Sequence, residues 1–147
     1  MDTISKARRS WNMAQIRSTN TKPERALGQL LRRIGFRVEQ HRRDLPGVPD
    51  FALPTRKIAV FLHGCFWHRH PKCKYAYSPK SRRGFWIAKF RANVTRDRIV
   101  RSALRQQGWK TIVVWECELP VLGASKDRLR RRLAKTRNSH LGNMSRH

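Results

Sequence analysis

Nine consecutive residues, Cys65-Phe66-Trp67-His68-Arg69-His70-Pro71-Lys72-Cys73, hold two thiols, two imidazoles and two large aromatic rings. Thiols and imidazoles this close together can ligate a metal, and rings caught between ligands cannot easily fold away into a core. The chain has three cysteines, the third being Cys117, so a disulfide framework would leave one thiol over. Cys65, His70, Cys73 and Cys117 together make a Cys3His set, the composition of a tetrahedral zinc site. The competing reading makes Cys65 and Cys117 small core residues flanking strands. The metal reading gives every thiol one common role.

Charge names the partner class. Lys and Arg number 34 against 9 Asp and Glu, a formal net charge of +25 over 147 residues. Self-repulsion of that size strains a small fold unless a polyanion neutralises it, and phosphate backbone is the common polyanion. Hydrophobic content of 39% with five Trp argues for a folded domain rather than a basic tail. No apolar run is long enough to span a bilayer and the first residues lack a secretory core, so the expected location is cytoplasmic with no membrane partner.

The elements that must position this chemistry can be read in outline. Residues 1–20 form a basic arm with Trp11, Met13 and Ile16. Thr21, Pro23 and Glu24 mark a helix start with a capping box, and Leu27, Leu30, Leu31 and Ile34 repeat at helical spacing up to Gly35. The rigid turn Leu45-Pro46-Gly47-Val48-Pro49 leads into a strand from Asp50 to Leu53. A second strand, Lys57 to Leu62, pairs with it as a hairpin and delivers the chain to the Cys/His cluster. A basic loop over 74–84 precedes a helix from Phe85 to Gln107, with Ile87, Phe90, Val94 and Leu104 on its apolar face and Asp97 on the same stripe. Trp109 to Trp115 reads as a third strand that brings Cys117 to the metal. A basic helix over 126–135 and a polar tail follow. The expected organisation is an arm (1–20), one domain (21–122) and a basic C-terminal segment (123–147).

Few acids are available for catalysis. Asp50 follows Pro49 at the mouth of a strand, with a second strand close behind. That order is the skeleton of the PD-(D/E)xK nuclease fold, in which a carboxylate at a strand bend holds Mg²⁺ against the scissile phosphate. Pro-Asp is equally an ordinary turn signal. The second strand departs from the pattern: Val60-Phe61-Leu62-His63 stands where a carboxylate and a lysine belong. A metal there can draw only a backbone carbonyl from the strand, and the missing lysine must be replaced by His63 or His68 as general base.

Pro49-Asp50-Phe51, His63-Gly64-Cys65-Phe66-Trp67-His68, Phe85-Trp86, Asn93-Val94, Arg96-Asp97-Arg98 and Val114-Trp115-Glu116-Cys117 resemble the very-short-patch-repair (Vsr) DNA mismatch endonucleases. Asn20-Thr21-Lys22-Pro23-Glu24 fits as well, and the likeness covers roughly residues 6–120. The resemblance implies an α/β fold with a PD-(D/E)xK restriction-endonuclease-like core, a mixed sheet flanked by helices and a structural zinc staple. It implies an enzyme that nicks one strand 5′ to the T of a T:G mismatch, the product of 5-methylcytosine deamination. Asp50 and the Leu62 carbonyl would hold Mg²⁺, His68 would be the general base, and Glu24, His63 and Asp97 would support the metal-bound waters. Family members commonly carry Thr where this chain has Leu62. Phe66, Trp67 and Trp86 would wedge into the stack beside the mismatch from the major groove, with Met13 and Ile16 entering from the minor groove. Lys89 and Asn93 would face the mispaired bases. The chain also carries one residue more than the family usually has between Cys65 and Cys73, within Arg69-His70-Pro71-Lys72.

Each assignment has a structural counterpart. Glu24 can simply complete the capping box, Asp97 can pair with Arg101 one turn on, and His63 can be a satisfied strand-end histidine. Phe66 and Trp67 can be core, and Phe85 rather than Trp86 can be the exposed ring. The Lys and Arg of 72–83 and 126–137 read as nonspecific phosphate contacts. Two other classes stay open: a zinc-stabilised mismatch-binding module without nuclease activity, and a basic RNA-binding protein. The expected state is a monomer on double-stranded DNA, with coupling to mismatch-repair factors open.

Overall fold

The computed structural model describes residues 21–134; the arm carrying Trp11, Met13 and Ile16, and the tail beyond 134, lie outside the described residues. Helix α1, Lys22–Arg33, starts on the expected capping box. Thr21 Oγ1 accepts from the Glu24 N–H, and Glu24 Oε2 accepts from the Thr21 N–H, both at 3.3 Å. Two of the orphan donors at the helix start are thereby satisfied. The chain leaves the helix through Gly35 at φ 96°, a left-handed position suited to glycine.

Four strands form one mixed sheet in the order β1 (Glu39–Gln40), β2 (Phe51–Leu53), β3 (Ile58–His63), β4 (Lys110–Trp115). The β1–β2 and β2–β3 pairs are antiparallel, the second being the expected hairpin, and β3–β4 is parallel. A parallel neighbour requires a long crossover, and helix α2, Arg83–Gln106, lies within that connection. The two-residue β1 is too short to leave a periodic signal in the sequence.

Alternation along the strands divides the core in two. Phe51, Leu53, Ile58, Val60, Ile112 and Val114 meet Leu27, Leu30 and Leu31 of α1, together with Leu122, Leu129 and Leu133. Leu122 lies on α3, Leu119–Ala124, while Leu129 and Leu133 lie on the helical residues 126–134, here α4. On the other face, Ala52 and Ala59 lie with Leu104 of α2, Trp109 and Leu45, and Val100 packs against them. Two alanines at the sheet surface allow close approach of the long helix.

Leu129 and Leu133, beyond the expected boundary at 122/123, are fully buried in the main core. Their i, i+4 spacing sets both on one face of the expected basic helix, an apolar face disguised by the arginines between them. The expected apolar face of α2 changes: Ile87 and Val94 do not face the core and are 49% and 36% exposed. The buried stripe of α2 is Phe90, Asn93 and Leu104, with Asp97 and Val100 partly buried along it. Residues 87 and 94 sit off that line on a 3.6-residue helix. Among the described residues no helix is long and apolar enough to cross a membrane.

Candidate active site and metal centre

The β3–β4 register explains how a distant thiol reaches the cluster. His63 pairs with Trp115 at the last rung, so Cys65 and Cys117 each stand two residues beyond the same rung. The loop after β3 folds on its own backbone, His68 N–H donating to the Gly64 carbonyl (3.1 Å) and His70 N–H to the Cys65 carbonyl (3.0 Å). Ligand atoms of Cys65, His70, Cys73 and Cys117 consequently lie within 4.8 Å of one another. A tetrahedral site with thiolate bonds of about 2.3 Å has ligand edges near about 3.8 Å, so this set could hold a metal ion. Cys117 Sγ is 3.4 Å from His70 Nδ1, and the His70 ring stacks on Trp115 at 4.3 Å. Burial and the neighbouring thiols push Cys117 up to about 12, and burial also raises Cys65. Cys73 moves down: burial opposes ionisation, but the N–H groups of Tyr75 and Ala76 and the other two thiols outweigh it. Thiols that resist ionising together are the ones a cation would deprotonate.

From the same loop rises a ledge of aromatic rings. Phe66 meets Trp67, Trp86 and Phe90 edge-on at 5.0, 5.4 and 5.2 Å, and Tyr77 lies 5.0 Å away. Trp67 and Trp86 are half-buried, and Phe85 is the more exposed of the neighbouring pair. Arg69 clamps the ledge: its guanidinium lies 4.0 Å over Phe90 and donates to the carbonyls of Phe66 (3.2 Å), Tyr77 (3.1 Å) and Ala76 (2.8 Å). Lys89 Nζ sits 5.8 Å over Trp67. Asn93 is not an open reader of bases, for it is buried and its Nδ2 donates to the Trp67 carbonyl at 3.1 Å. Its amide supports the ledge from beneath.

Asp50 lies just ahead of β2, at the end of a turn pressed against α2. Gly47 in that turn has φ 72°, and a Cβ there would overlap Val100, so both conformation and space demand glycine. Asp50 Oδ2 accepts from the Leu62 N–H at 2.7 Å. Burial raises the Asp50 carboxyl to about 6; the Glu24 charge adds to this, while the Leu62 N–H and the imidazoles of His41 and His68 pull it down. Glu24 serves the capping box and the site at once, because Oε2 faces Thr21 while Oε1 meets His41 Nε2. Ligand atoms of Glu24, His41 and Asp50 fall within 4.8 Å of one another, a second group able to hold a metal.

His68 and Asp97 face the same space. His68 Nδ1 lies 2.7 Å from Asp97 Oδ2. With Nδ1–H donating to the carboxylate, Nε2 keeps its lone pair and is free to accept a proton. His63 stacks on His68 with centroids 3.8 Å apart and planes 8° from parallel, and its Nε2 is 4.0 Å from the other Asp97 oxygen. Burial lowers His63 to about 4, reinforced by His68 and Arg101 and opposed by Asp97. Thus Asp97 pairs with histidines rather than with Arg101. Glu24, Asp50, Leu62, His63, Trp67, His68 and Asp97 all line one cleft of about 400 Å³.

Residues 1–74 match the family model for the DNA mismatch endonuclease Vsr. The chain is 49% identical to the type II nicking enzyme V.XorIIP of Xanthomonas oryzae over 129 residues, covering 88% of this chain and 94% of that one. The chain belongs to the Vsr DNA mismatch endonuclease family. It is 41% identical to the Vsr mismatch endonuclease of Escherichia coli over 118 residues (80% of this chain, 75% of that one). With V.NmeAIP of Neisseria meningitidis it shares 39% over 130 residues (88% and 92%). This Vsr-family protein is by membership a DNA endonuclease.

Three parts of this Vsr-family site escaped the sequence reading. His41 lies in a basic stretch with no periodicity to mark it, Tyr77 lies in a loop, and Arg69 stood out only as a departure from the family pattern. No sequence signal marks His41. Arg132, counted among the phosphate contacts, is turned inward onto Glu118 (2.9 Å) and the Val113 carbonyl.

Proposed function

We propose that this chain is a Mg²⁺-dependent endonuclease that nicks one strand of double-stranded DNA 5′ to the T of a T:G mismatch. It works as a cytoplasmic monomer on a PD-(D/E)xK-like core, with Zn²⁺ on Cys65, His70, Cys73 and Cys117 as a structural staple. The observation that carries the reading is the single cleft in which His68, oriented by Asp97, shares space with Asp50 and with Trp67 of the aromatic ledge. Two carboxylates and backbone polar groups suit a hard divalent cation, and a closed set of three thiols and an imidazole suits zinc.

Asp50 and the Leu62 carbonyl would hold Mg²⁺, which when bound supplies charge stabilisation at the scissile phosphate. The remaining work falls to side chains. His68 Nε2 takes the proton of the attacking water as its oxygen bonds to phosphorus and the bond to the leaving sugar oxygen breaks. Asp97 holds the tautomer and stabilises the imidazolium that forms. His63, kept neutral by burial, supports the His68 ring by stacking without adding charge. Glu24 completes the acidic wall. Leu62 in place of Thr keeps the backbone N–H that Asp50 uses, and that contact needs no hydroxyl.

The aromatic ledge supplies mismatch preference. Unstacking a base step costs on the order of a few kcal/mol, and less at a mispair, so Phe66, Trp67 and Trp86 inserted at a step favour mispaired DNA. Met13 and Ile16 would enter the opposite groove, and Lys89 is the ledge cation nearest the bases. The test is a nicking assay on duplexes differing only in T:G against T:A, with Asp50→Ala alongside. Preferential nicking of T:G that Asp50→Ala abolishes is expected. A zinc-loaded protein that binds DNA and cuts nothing with Mg²⁺ overturns the proposal in favour of a binding module.

A further inference from the structure

His41 is placed as deliberately as any residue of the cleft. β1 pairs with β2 so that Glu39 faces Ala52 and Gln40 faces Phe51. Just past the end of β1, the His41 N–H reaches the Asp50 carbonyl at 3.4 Å, which holds the two residues side by side. His41 also adopts φ 50°, a left-handed conformation uncommon for histidine. The loop that holds it is pinned: Arg42 forks onto Asp44 (2.6 and 3.1 Å) and lies 5.3 Å over Trp109. The result is an imidazole whose Nε2 is turned onto Glu24 and whose ligand atom is within 4.8 Å of those of both Glu24 and Asp50.

We propose that His41 is a direct ligand, through Nε2, of the divalent cation held at Asp50. The proposal rests on the reading of this cleft as the nuclease metal site and adds to it a nitrogen donor. An imidazole beside two carboxylates changes metal preference. Oxygen-only sites suit Mg²⁺, whereas a mixed nitrogen and oxygen set gains affinity for first-row transition ions such as Mn²⁺ and Co²⁺. Glu24 then has two partners for one oxygen: His41 when the site is empty of metal, and the cation when it is filled. With the site empty, Nε2 donates its N–H to Glu24; when the cation binds, that proton shifts to Nδ1 through solvent or is released, and the freed Nε2 lone pair takes the metal.

The test uses Mn²⁺ alone as probe on zinc-loaded, Mg²⁺-free protein, reading affinity by calorimetry and coordinated nitrogen by electron-spin-echo spectroscopy. His41→Asn is the variant of choice, since Asn tolerates the left-handed conformation and an amide would coordinate through oxygen. Wild type is expected to show a directly bound nitrogen, kept in His68→Asn and lost in His41→Asn, with Mn²⁺ affinity down about tenfold or more. Thermal melts confirm folding. Selective ¹⁵N-histidine labelling of wild type must change the echo modulation without any substitution. If Asp50→Asn abolishes Mn²⁺ binding but no histidine nitrogen is seen, or it survives in His41→Asn, the inference falls while the metal-site reading stands. Mn²⁺ binding indifferent to Asp50→Asn overturns the underlying reading itself.

Discussion

The thiol loop and the Asp50 cleft are built in opposite ways from similar ingredients. In the loop, three of four ligand residues come from nine consecutive positions, and the fourth arrives by a two-residue overhang on a paired strand. At the cleft, Glu24, Asp50, His68 and Asp97, with His41 set against Glu24, come from five separate segments, each fixed by its own device. Those devices are a capping box, a glycine turn, a folded loop, a helix stripe and, for His41, a backbone hydrogen bond to Asp50. The loop offers four protein donors and no vacancy, the pattern of a structural metal. The cleft offers hard donors, an oriented base and open volume, the pattern of a reaction site. Closure stabilises a fold, whereas openness leaves room for a substrate.

That contrast predicts that stability and turnover separate between the two regions. Cys117→Ser leaves the staple incomplete and should lower Tm by roughly 10 °C or more, on the order of several kcal/mol, with nicking lost as the ledge loosens. His68→Ala should cost about 10²–10⁴ in nicking rate while Tm moves little, because the ring is a general base on an otherwise supported loop. Calorimetry of both variants with a single-turnover nicking assay checks the pair. A His68→Ala variant that melts as early as Cys117→Ser would erase the distinction.

How far each region was legible in the sequence follows from the same architecture. Cys65 to Cys73 announces itself because its ligands are local, and Cys117 joins them by simple counting of thiols. The long α1 and the hairpin carry strong caps and β-formers, so they were readable too. Asp50, His63 and His68 followed from the strand order and the missing lysine, whereas roles for Glu24 and Asp97 came chiefly from motifs tied to a known family; Glu24, Asp50, His63 and Asp97 each kept an ordinary structural alternative. His41 has neither locality nor motif, and only its contacts with Asp50 and Glu24 in the folded chain bring it in. Ile87 and Val94 misled because apolar residues on a long basic surface helix need not point to the core. Leu129 and Leu133 were hidden by surrounding arginines, although burial of both shows that a strongly basic helix can still close a core.

The cleft has its own influence on stability, and its sign can be worked out from His63. Unfolded, this imidazole takes a proton near its ordinary 6.5; folded, only near 4. Its contribution is therefore complete above about pH 6.5 and is lost as pH falls toward about 4, the loss reaching about 2 kcal/mol by pH 5. Asp50 acts in the opposite sense, since a carboxyl raised to about 6 makes acid favour the folded state between its ordinary value and 6. Subtracting His63→Asn from wild type isolates the histidine. The Tm gap between the two proteins should narrow by several degrees from pH 7.5 to pH 5, and parallel curves would rule out a buried neutral His63.

The smallest effect tests where the two regions join. Arg69 belongs to the thiol loop by sequence, yet its guanidinium ties three carbonyls and the face of Phe90 into the ledge whose Trp67 lines the cleft. Lysine keeps the charge but has no planar fork to bridge several carbonyls while stacking on a ring. Arg69→Lys should therefore lose about 1–2 kcal/mol of stability, a few degrees in Tm, with zinc content unchanged. The informative readout is selectivity. A loosened ledge inserts less firmly, so the ratio of T:G to T:A nicking should fall several-fold while the rate on saturating T:G duplex changes less. Selectivity equal to wild type, with the same drop in Tm, would make Arg69 a part of the staple alone. The ledge would then be organised from the α2 side, through Asn93 and the Trp67 carbonyl.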